Sequence, residues 1–463
     1  MLSLRLLLQN PVDQREQSIC SRAKHLGRWP RFRGVVAAGA LLLSMPAVAH
    51  ADDRPTPSPT AAITRDLRLE GFSKVNAVVV EELLPRALPT VLTEDERAEF
   101  ERRLWALALF DDVAVQHEGE VLVVRVREKW TLVPNIDAST SKTVRDSYLL
   151  GSLVEVNLFG RAQELGGYVA YVERAVSAEL WWAEHQQSAR RISFEGGLFW
   201  VGSGFAYEDP ASGWERRRLG ARFGTRLPFG YGSRFRLALL TSAYRENLEG
   251  TLPKDPIRPL QDGFALNLGL RVVWDRYTWN DVVPAGLRLT VEAGPGAMLR
   301  GGSGAPRHAG FAQVLVAQPF TQTTVLTASA VAELANPGDP NHSVLLGNVP
   351  AFRFSIGQLG GIRGLIDNTY RNFAHAFADI ELRQAIGLWP RWFVQGVLFV
   401  DLGVFAPLDA RGAVTPTQSA LSTGVGVRVL PTAIAGLVPR LDAGRVHAPR
   451  EAWFWTMGLS QYF

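Results

Sequence analysis

The chain has 463 residues, 47% of them hydrophobic and 20% charged, with a formal net charge of +4 and a mean hydropathy of +0.01. Its single cysteine, Cys20, lies in the leader described below, which excludes disulfide and thiol chemistry from the remainder. The small cationic surplus is inflated by that same basic leader and gives no ground for a nucleic-acid partner.

Arg31-Phe32-Arg33 precedes an apolar run over residues 35–43, and Ala49-His50-Ala51 follows. A basic stretch, a short apolar core and a small-x-small site predict an export signal over residues 1–51. Downstream, no stretch reaches the ~18 consecutive apolar residues of a membrane helix. An exported chain without a helical anchor is periplasmic, secreted or a barrel. Residues 52–62 include Arg54-Pro55-Thr56-Pro57-Ser58-Pro59-Thr60, a stiff extended linker.

Residues 63–130 read as a small α+β domain. Residues 63–69 alternate as a strand that Gly71 ends, and residues 75–84 read as a short helix. Thr93-Glu94-Asp95-Glu96 is a capping box opening a second helix, with Phe100, Leu104, Leu107 and Ala108 at helical spacing and Phe110 closing it. Residues 113–116 and 121–127 alternate as two strands around a turn at 117–120. The order is β-α-α-β-β. Together with the phrase Arg103-Leu104-Trp105-Ala106-Leu107-Ala108-Leu109-Phe110-Asp111-Asp112-Val113, it resembles a POTRA domain. Any other small α+β domain is the plain alternative.

From residue 135 to the end no amphipathic helix is readable, and roughly 330 residues at ~10 per membrane strand plus connections supply about 16 strands. Phe264, Leu266, Leu268, Leu270, Val272 and Trp274 share one face, against Asn267, Gly269 and Arg271. Leu219, Ala221, Phe223 and Leu227 oppose Arg218, Arg222 and Arg226. Ala378, Ile380 and Leu382 oppose Asp379, Glu381 and Arg383, and Trp453, Trp455, Met457 and Leu459 oppose Thr456, Gly458 and Ser460. Barrel strands alternate lipid-facing and lumen-facing residues, which averages their hydropathy to near zero. A soluble antiparallel sheet alternates in the same way. The length, large for one soluble sandwich, the leader and the aromatic Phe463 favour the outer membrane. Trp181-Trp182, Phe199-Trp200 and the stretch from Trp389 to Trp392 fit an interfacial aromatic belt, with a carbohydrate platform as the rival reading.

Four phrases recur in order over some 300 residues. Gly151 is followed by Glu155-Val156-Asn157-Leu158-Phe159-Gly160-Arg161. Trp274-Asp275-Arg276 is followed by Pro284-Ala285-Gly286. Gly361-Ile362-Arg363-Gly364-Leu365 comes next. Last are Phe399-Val400-Asp401-Leu402-Gly403, Gly424-Val425-Gly426 and Arg440-Leu441-Asp442. From residue 139 onward this resembles the barrel of the BamA/TamA-like assembly and two-partner-secretion superfamily, often labelled bacterial surface antigen. Two positions depart from the pattern: Leu365 stands where an aromatic residue is usual, and Gln461 where a second hydrophobic residue is expected near the end.

The resemblance implies a mostly β protein: a transmembrane antiparallel barrel over residues 135–463 preceded by one POTRA domain. It implies that Arg363, set between Gly361 and Gly364, contacts the inner wall at Asp401, with Glu381 behind it. A guanidinium keeps its charge at any relevant pH and needs a carboxylate to hold one geometry. Two unrelated ions in a wet lumen are the alternative. Asn157, Phe159, Gly160, Asp275, Arg276, Pro284, Gly286, Gly403 and Asp442 are expected to be structural motif positions. The seam is expected between residues 149–158 and the last strand, which carries Gly458 and Phe463.

The implied function is insertion of outer-membrane proteins or passage of a polypeptide across the outer membrane. Outer-membrane lipids, an unfolded or partly folded client and periplasmic partner proteins are the implied partners, with the POTRA domain in the periplasm of a Gram-negative bacterium. A passive pore or structural barrel and a barrel-embedded hydrolase are the alternatives. The histidines after the leader, His117, His185, His308, His342, His375 and His447, are scattered, and no His-Glu-x-x-His spacing occurs. No catalytic group, metal or cofactor is expected.

Overall fold

The computed structural model describes residues 62–140, 148–172, 175–184, 192–206, 213–227, 231, 234–250, 262–280, 283–300, 303–335, 362–364, 372–389, 392–407, 416–431, 433–434, 437–449 and 451–459. The expected signal peptide, nearly all of the linker, Gly361, Leu365, Gln461 and Phe463 lie outside these residues.

A small α+β unit comes first, with β1 (Ala62–Thr64), β2 (Asp66–Glu70), α1 (Ala77–Glu82), β3 (Thr90–Leu92), α2 (Glu94–Ala106), β4 (Phe110–Glu118) and β5 (Val121–Glu128). The single expected first strand is two strands broken at Arg65, because its halves join different sheets. β1 pairs with β3, a strand that the sequence reading missed, and β2 pairs in parallel with β5. The main sheet has the order β2-β5-β4, so β2 and β4 are its edges.

The α2 capping box forms as written: Thr93 Oγ1 accepts from the Glu96 N–H, and the Glu96 carboxylate accepts from the Thr93 N–H. Three acidic residues in its first turn and Arg103 in its last suit the helix dipole. The helix stops at Ala106 rather than at Phe110. Ala108 takes a left-handed φ of 58°, which reverses the chain so that Phe110 opens β4. Phe100 and Leu104 of α2 pack with Val80, Leu84, Leu122 and Val124 in one apolar core.

The barrel follows. Its strands are β6 (Leu132–Thr140), β7 (Tyr148–Leu158), β8 (Gln163–Val172), β9 (Ala175–Glu184), β10 (Ser193–Ala206) and β11 (Gly213–Leu227). Next come β12 (Phe235–Gly250), β13 (Gly263–Asp275), β14 (Thr278–Asn280), β15 (Val283–Arg300), β16 (Ser303–Pro319) and β17 (Thr324–Ala335). The last are β18 (Asn372–Trp389), β19 (Trp392–Pro407), β20 (Gln418–Pro431), β21 (Arg440–Ala448) and β22 (Ala452–Gly458). Each pairs antiparallel with its neighbours, and β22 pairs with β6 to close the cylinder. Both β13 and β14 pair with β15, β14 continuing β13 past a break, so the described residues make sixteen strands.

Closure occurs one strand earlier than the sequence suggested. Residues 149–158 belong to β7; the strand that meets β22 is β6, beginning at Leu132. Pro134, Asn135 and Asp137 make β6 read as a connection. In the fold Asn135 and Asp137 are buried on the inner face, while Ile136 faces out.

The side-chain period of two sorts the barrel into faces. Leu219, Phe223, Leu266, Leu268, Leu270 and Met457 are exposed on the outside, as a lipid-facing surface requires. The aromatic doublets divide between faces instead of forming a belt. Trp200 is exposed outside, but Trp181 and Phe199 are 3% and 2% accessible and face inward, Phe199 against Tyr244. Trp389 and Trp392 are exposed, as a belt would have them.

The α+β unit rests on the barrel end that carries the β7–β8, β11–β12 and β20–β21 connections. The Asn76 N–H donates to the Gly160 carbonyl at 2.8 Å, and Asn76 Nδ2 donates to the Phe159 carbonyl at 2.9 Å. Arg103 stacks 4.2 Å from the Tyr231 ring centroid. The Trp130 N–H donates to the Ala433 carbonyl at 2.9 Å. The β11–β12 and β20–β21 connections stand half a sixteen-strand circuit apart, so the small unit bridges the mouth at this end.

Candidate functional site

Four strands, β18 to β21, turn acidic and basic side chains onto one stretch of inner wall. Glu381 on β18, Asp401 on β19, Arg428 on β20 and Asp442 on β21 are all fully buried. Residues 362–364 bring Arg363 into their midst. Its backbone N–H donates to Asp401 Oδ2 at 3.0 Å, Nε to the same oxygen at 2.8 Å, and Nη2 to Oδ1 at 2.5 Å. Nη1 donates to Glu381 Oε1 at 2.7 Å and lies 3.8 Å from Asp442 Oδ2. Glu381 therefore touches the guanidinium directly, where the sequence reading put it behind Asp401.

The surroundings hold this geometry. Ser422 Oγ donates to Asp401 Oδ2 at 3.0 Å. Arg383 Nε donates to Glu381 Oε2 at 2.7 Å, and Arg428 reaches Asp442 at 2.5 Å and Glu381 at 3.1 Å. The Phe399 ring lies 3.6 Å from the Arg363 guanidinium carbon and covers its flat face. Gly364 has a φ of +84°, and a Cβ there would come 2.4 Å from the Phe454 ring. A side chain at that position would push the arginine off the wall. Gly403 backs Ile362, whose side chain packs with Phe405 and Ala420. A buried ion pair contributes stability only when its remaining donors and acceptors are met. Here three carboxylates and three arginines share one network, while the buried Asp379, opposite Asp401 in the ladder, leaves its Oδ1 without a hydrogen-bond partner among the described residues.

The other motif positions lie elsewhere. Asn157 Oδ1 accepts the Ala162 N–H at 2.9 Å and closes the β7–β8 turn. In that turn Phe159 is 81% accessible at a φ of 55°, and Gly160 meets the α+β unit. Asp275 sits at the end of β13 on the inner face. It accepts the Tyr277 N–H at 3.0 Å, Arg288 at 3.1 Å and Arg236. Arg276, the next residue, is exposed and lies 5.2 Å from the Trp274 ring. Pro284 is buried in β15, and Gly286, at a φ of +104°, backs onto the Arg276 carbonyl. Gly458 is buried beside Arg440 and Asp137 near the closing seam, where Arg440 Nη2 donates to Asp137 at 2.7 Å.

A second charged wall was half visible in the sequence. Arg218, Arg222 and Arg226 face inward as read, but their carboxylate partners were not found. Arg222 Nε donates to Glu179 at 2.7 Å, Arg218 Nε to Glu246 at 2.7 Å, and Arg226 pairs with Glu195. Arg271 adds Glu292 at 2.9 Å. These partners come from four other strands, so only the register brings them together.

Where the α+β unit meets the barrel, Glu128 accepts the N–H groups of Ser73, Lys74 and Val75 and the Ser73 hydroxyl. Burial pushes this carboxyl up, but the Ser73 hydroxyl and the three amides outweigh it and hold the group below its usual range. Among the described residues, no group of three or more His, Cys, Asp or Glu side chains is placed to hold a metal ion.

Fold and site define a closed, sixteen-stranded transmembrane-type β-barrel whose inner wall anchors an inserted arginine. No protein-family model matches the sequence, and no curated protein matches it closely enough to count as a relative. Solved structures do match. The crystal structure of BamA from Haemophilus ducreyi lacking POTRA domains 1–3 aligns with a TM-score of 0.50 at 14% identity, over 86% of this chain and 85% of that one. CdiB from Escherichia coli gives 0.56 at 14% identity over 86% and 76% of the two chains. CdiB from Acinetobacter baumannii gives 0.54 at 12% over 86% and 74%. The chain thus has the fold of the barrel superfamily that its motifs resemble, and at these identities the likeness is one of fold.

Proposed function

We propose that the chain is an outer-membrane barrel that admits an unfolded polypeptide, either inserting outer-membrane proteins or carrying a polypeptide across. The α+β unit serves as a single POTRA-like domain on the periplasmic side. The observation that carries this reading is the seam. Among the described residues β22 and β6 share four ladder pairs, from Trp455–Thr140 to Gly458–Asp137, whereas β11 and β12 share fourteen. Ladder hydrogen bonds are what hold two strands edge to edge, and this junction, where the first and last strands meet, is the one we take to open. A parted seam presents two strand edges to a client strand, and the β2 or β4 edge of the small sheet offers a second place for strand addition. Periplasmic partner proteins would meet the same unit. The mechanism needs no bond chemistry and no cofactor.

The test is a disulfide across the seam. Met457 faces Ala138 in the ladder, so an Ala138→Cys/Met457→Cys pair locks β22 to β6. Oxidation is expected to abolish client insertion or secretion and reduction to restore it; full activity in the locked protein removes the seam mechanism. Depletion separates this reading from a passive pore. A changed inventory of outer-membrane or secreted proteins supports it. An unchanged inventory with altered permeability supports the pore.

A further inference from the structure

The motif Trp274-Asp275-Arg276 finds no use in the seam or in the anchored arginine. Its last two residues split between the faces of the barrel: Asp275 turns inward to Arg236 and Arg288, while Arg276 is exposed beside Trp274. Trp274 pairs with Phe235 at the rim, the last row of the outward apolar face of β12 and β13. Arg276 therefore lies where the apolar band ends.

Other cations crowd the same rim. Arg234, just before β12, lies 3.5 Å from Glu99 on α2. Glu99 also takes Arg102 at 2.6 Å and Arg103 at 3.0 Å, so one carboxylate serves three guanidiniums. Glu96 is committed to its own cap and to Arg86, and Glu101 lies 3.7 Å from Arg97. Among the described residues no carboxylate lies within ion-pair distance of Arg276. Burial, then Arg102, and also Arg276, push the Arg234 guanidinium below its usual range, against the pull of Glu99 and Asp275. Among the described residues of this rim, Arg276 has no carboxylate partner and Glu99 is shared by three arginines.

We propose that Arg276, with Arg234 and Arg102, binds the phosphate of an anionic phospholipid in the leaflet nearest the α+β unit. The location selects a lipid over an acidic polypeptide. The guanidinium of Arg276 shares its contact with an aromatic ring of the lipid-facing row, and aromatic rings beside cations are the usual furniture of headgroup level. Because Arg234 also reaches Glu99, a lipid seated here touches the barrel rim and α2 together and fastens the small unit against the membrane surface. Nothing in this site depends on a client or on the seam.

The experiment is native mass spectrometry of the full chain released from mixed micelles of phosphatidylglycerol and phosphatidylethanolamine in equal amounts. The wild type is expected to retain phosphatidylglycerol in preference to phosphatidylethanolamine. Arg276→Gln should lower that retention about five-fold, the size expected for one arginine near an anionic surface. Arg276→Lys should keep most of it. Arg217→Gln, which alters an outward arginine paired with Glu249 at the opposite end of the barrel, should leave it unchanged. Heat-modified gel mobility serves as the folding control for every variant. Equal retention of the two lipids by the wild type, or undiminished retention in Arg276→Gln, overturns the proposal. Stable capture of a glutamate-rich peptide with no preference for phosphatidylglycerol overturns it in favour of a polypeptide ligand.

Discussion

Arg363 grips Asp401 with backbone and side chain at once: three N–H groups of the one residue donate to the two oxygens of the other, at 2.5 to 3.0 Å. A lysine lacks the fork that spans both oxygens and the reach to Glu381. Arg363→Ala leaves Asp401 and Glu381 buried against fewer cations, a loss of about 3–5 kcal/mol for a broken buried pair. The expected outcome is a lower temperature for the heat-modifiable gel shift, with Arg363→Lys recovering only part of it. An unchanged shift in Arg363→Ala would show that the pair does not hold the barrel together.

Glu128 gives the small unit an acid sensitivity whose sign is fixed. Its folded pKa is depressed, so its contribution is present above the unfolded value near 4.5 and is lost as pH falls through the folded value. Glu128→Gln should cost about 1 kcal/mol at neutral pH, the half-buried carboxylate being partly screened by solvent. Melting curves of wild type and variant should converge as the pH drops below 4.5. Curves that stay parallel across that window would contradict the assignment.

Gly160 is the contact point of the β7–β8 turn. Its φ is +72°, and a Cβ would come 2.3 Å from the Lys74 carbonyl oxygen. Gly160→Ala should cost about 1 kcal/mol in backbone strain alone and should push the turn off the loop. Amide exchange at Asn76, whose N–H donates to the Gly160 carbonyl, is expected to accelerate. The amides of β10 and β11 should be unaffected.

Tyr231 separates ring from hydroxyl. Its ring faces Arg103, and its hydroxyl donates to the Glu96 carbonyl at 3.2 Å. Tyr231→Phe should keep most of the docking, whereas Tyr231→Ala should lose about 1–2 kcal/mol of cation–π contact. Protease cleavage near Lys129 reads the difference, with faster cutting only in the alanine variant. Equal rates in both would place the docking energy elsewhere.

The alternation of residues 264–274 and 378–383 made inward and outward faces legible because a strand repeats every two residues whatever its neighbours. Pairing across strands was not legible. Arg222 and Glu179 are 43 residues apart and meet only through the β9–β10–β11 register. The doublets misled for a related reason. Adjacent residues on a strand point to opposite faces, so Trp181-Trp182 could never have placed both rings in one belt. β6 was missed because its inward polar side chains and Pro134 resemble a linker. Arg363 was singled out because Gly361-Ile362-Arg363-Gly364-Leu365 resembles the loop phrase of that superfamily, in which the arginine contacts the inner wall; the glycines alone left two unrelated ions open. That Glu381 would touch it directly depended on the β18–β19 register, which sets Glu381 opposite Phe399, the ring beneath the guanidinium, and spacing alone does not encode this.

Only residues 129–131 separate β5 from β6, and each is tied down: the Lys129 N–H to Leu109, the Trp130 N–H to Ala433, and the Thr131 carbonyl to the Val156 N–H. The central strand of the small sheet therefore runs with almost no slack into the strand that closes the cylinder. A displacement of that sheet is passed to β6, the strand that closes the ring, instead of being absorbed by a tether. Lengthening this stretch by a few glycines would leave both folded parts intact and let the small sheet move without moving β6.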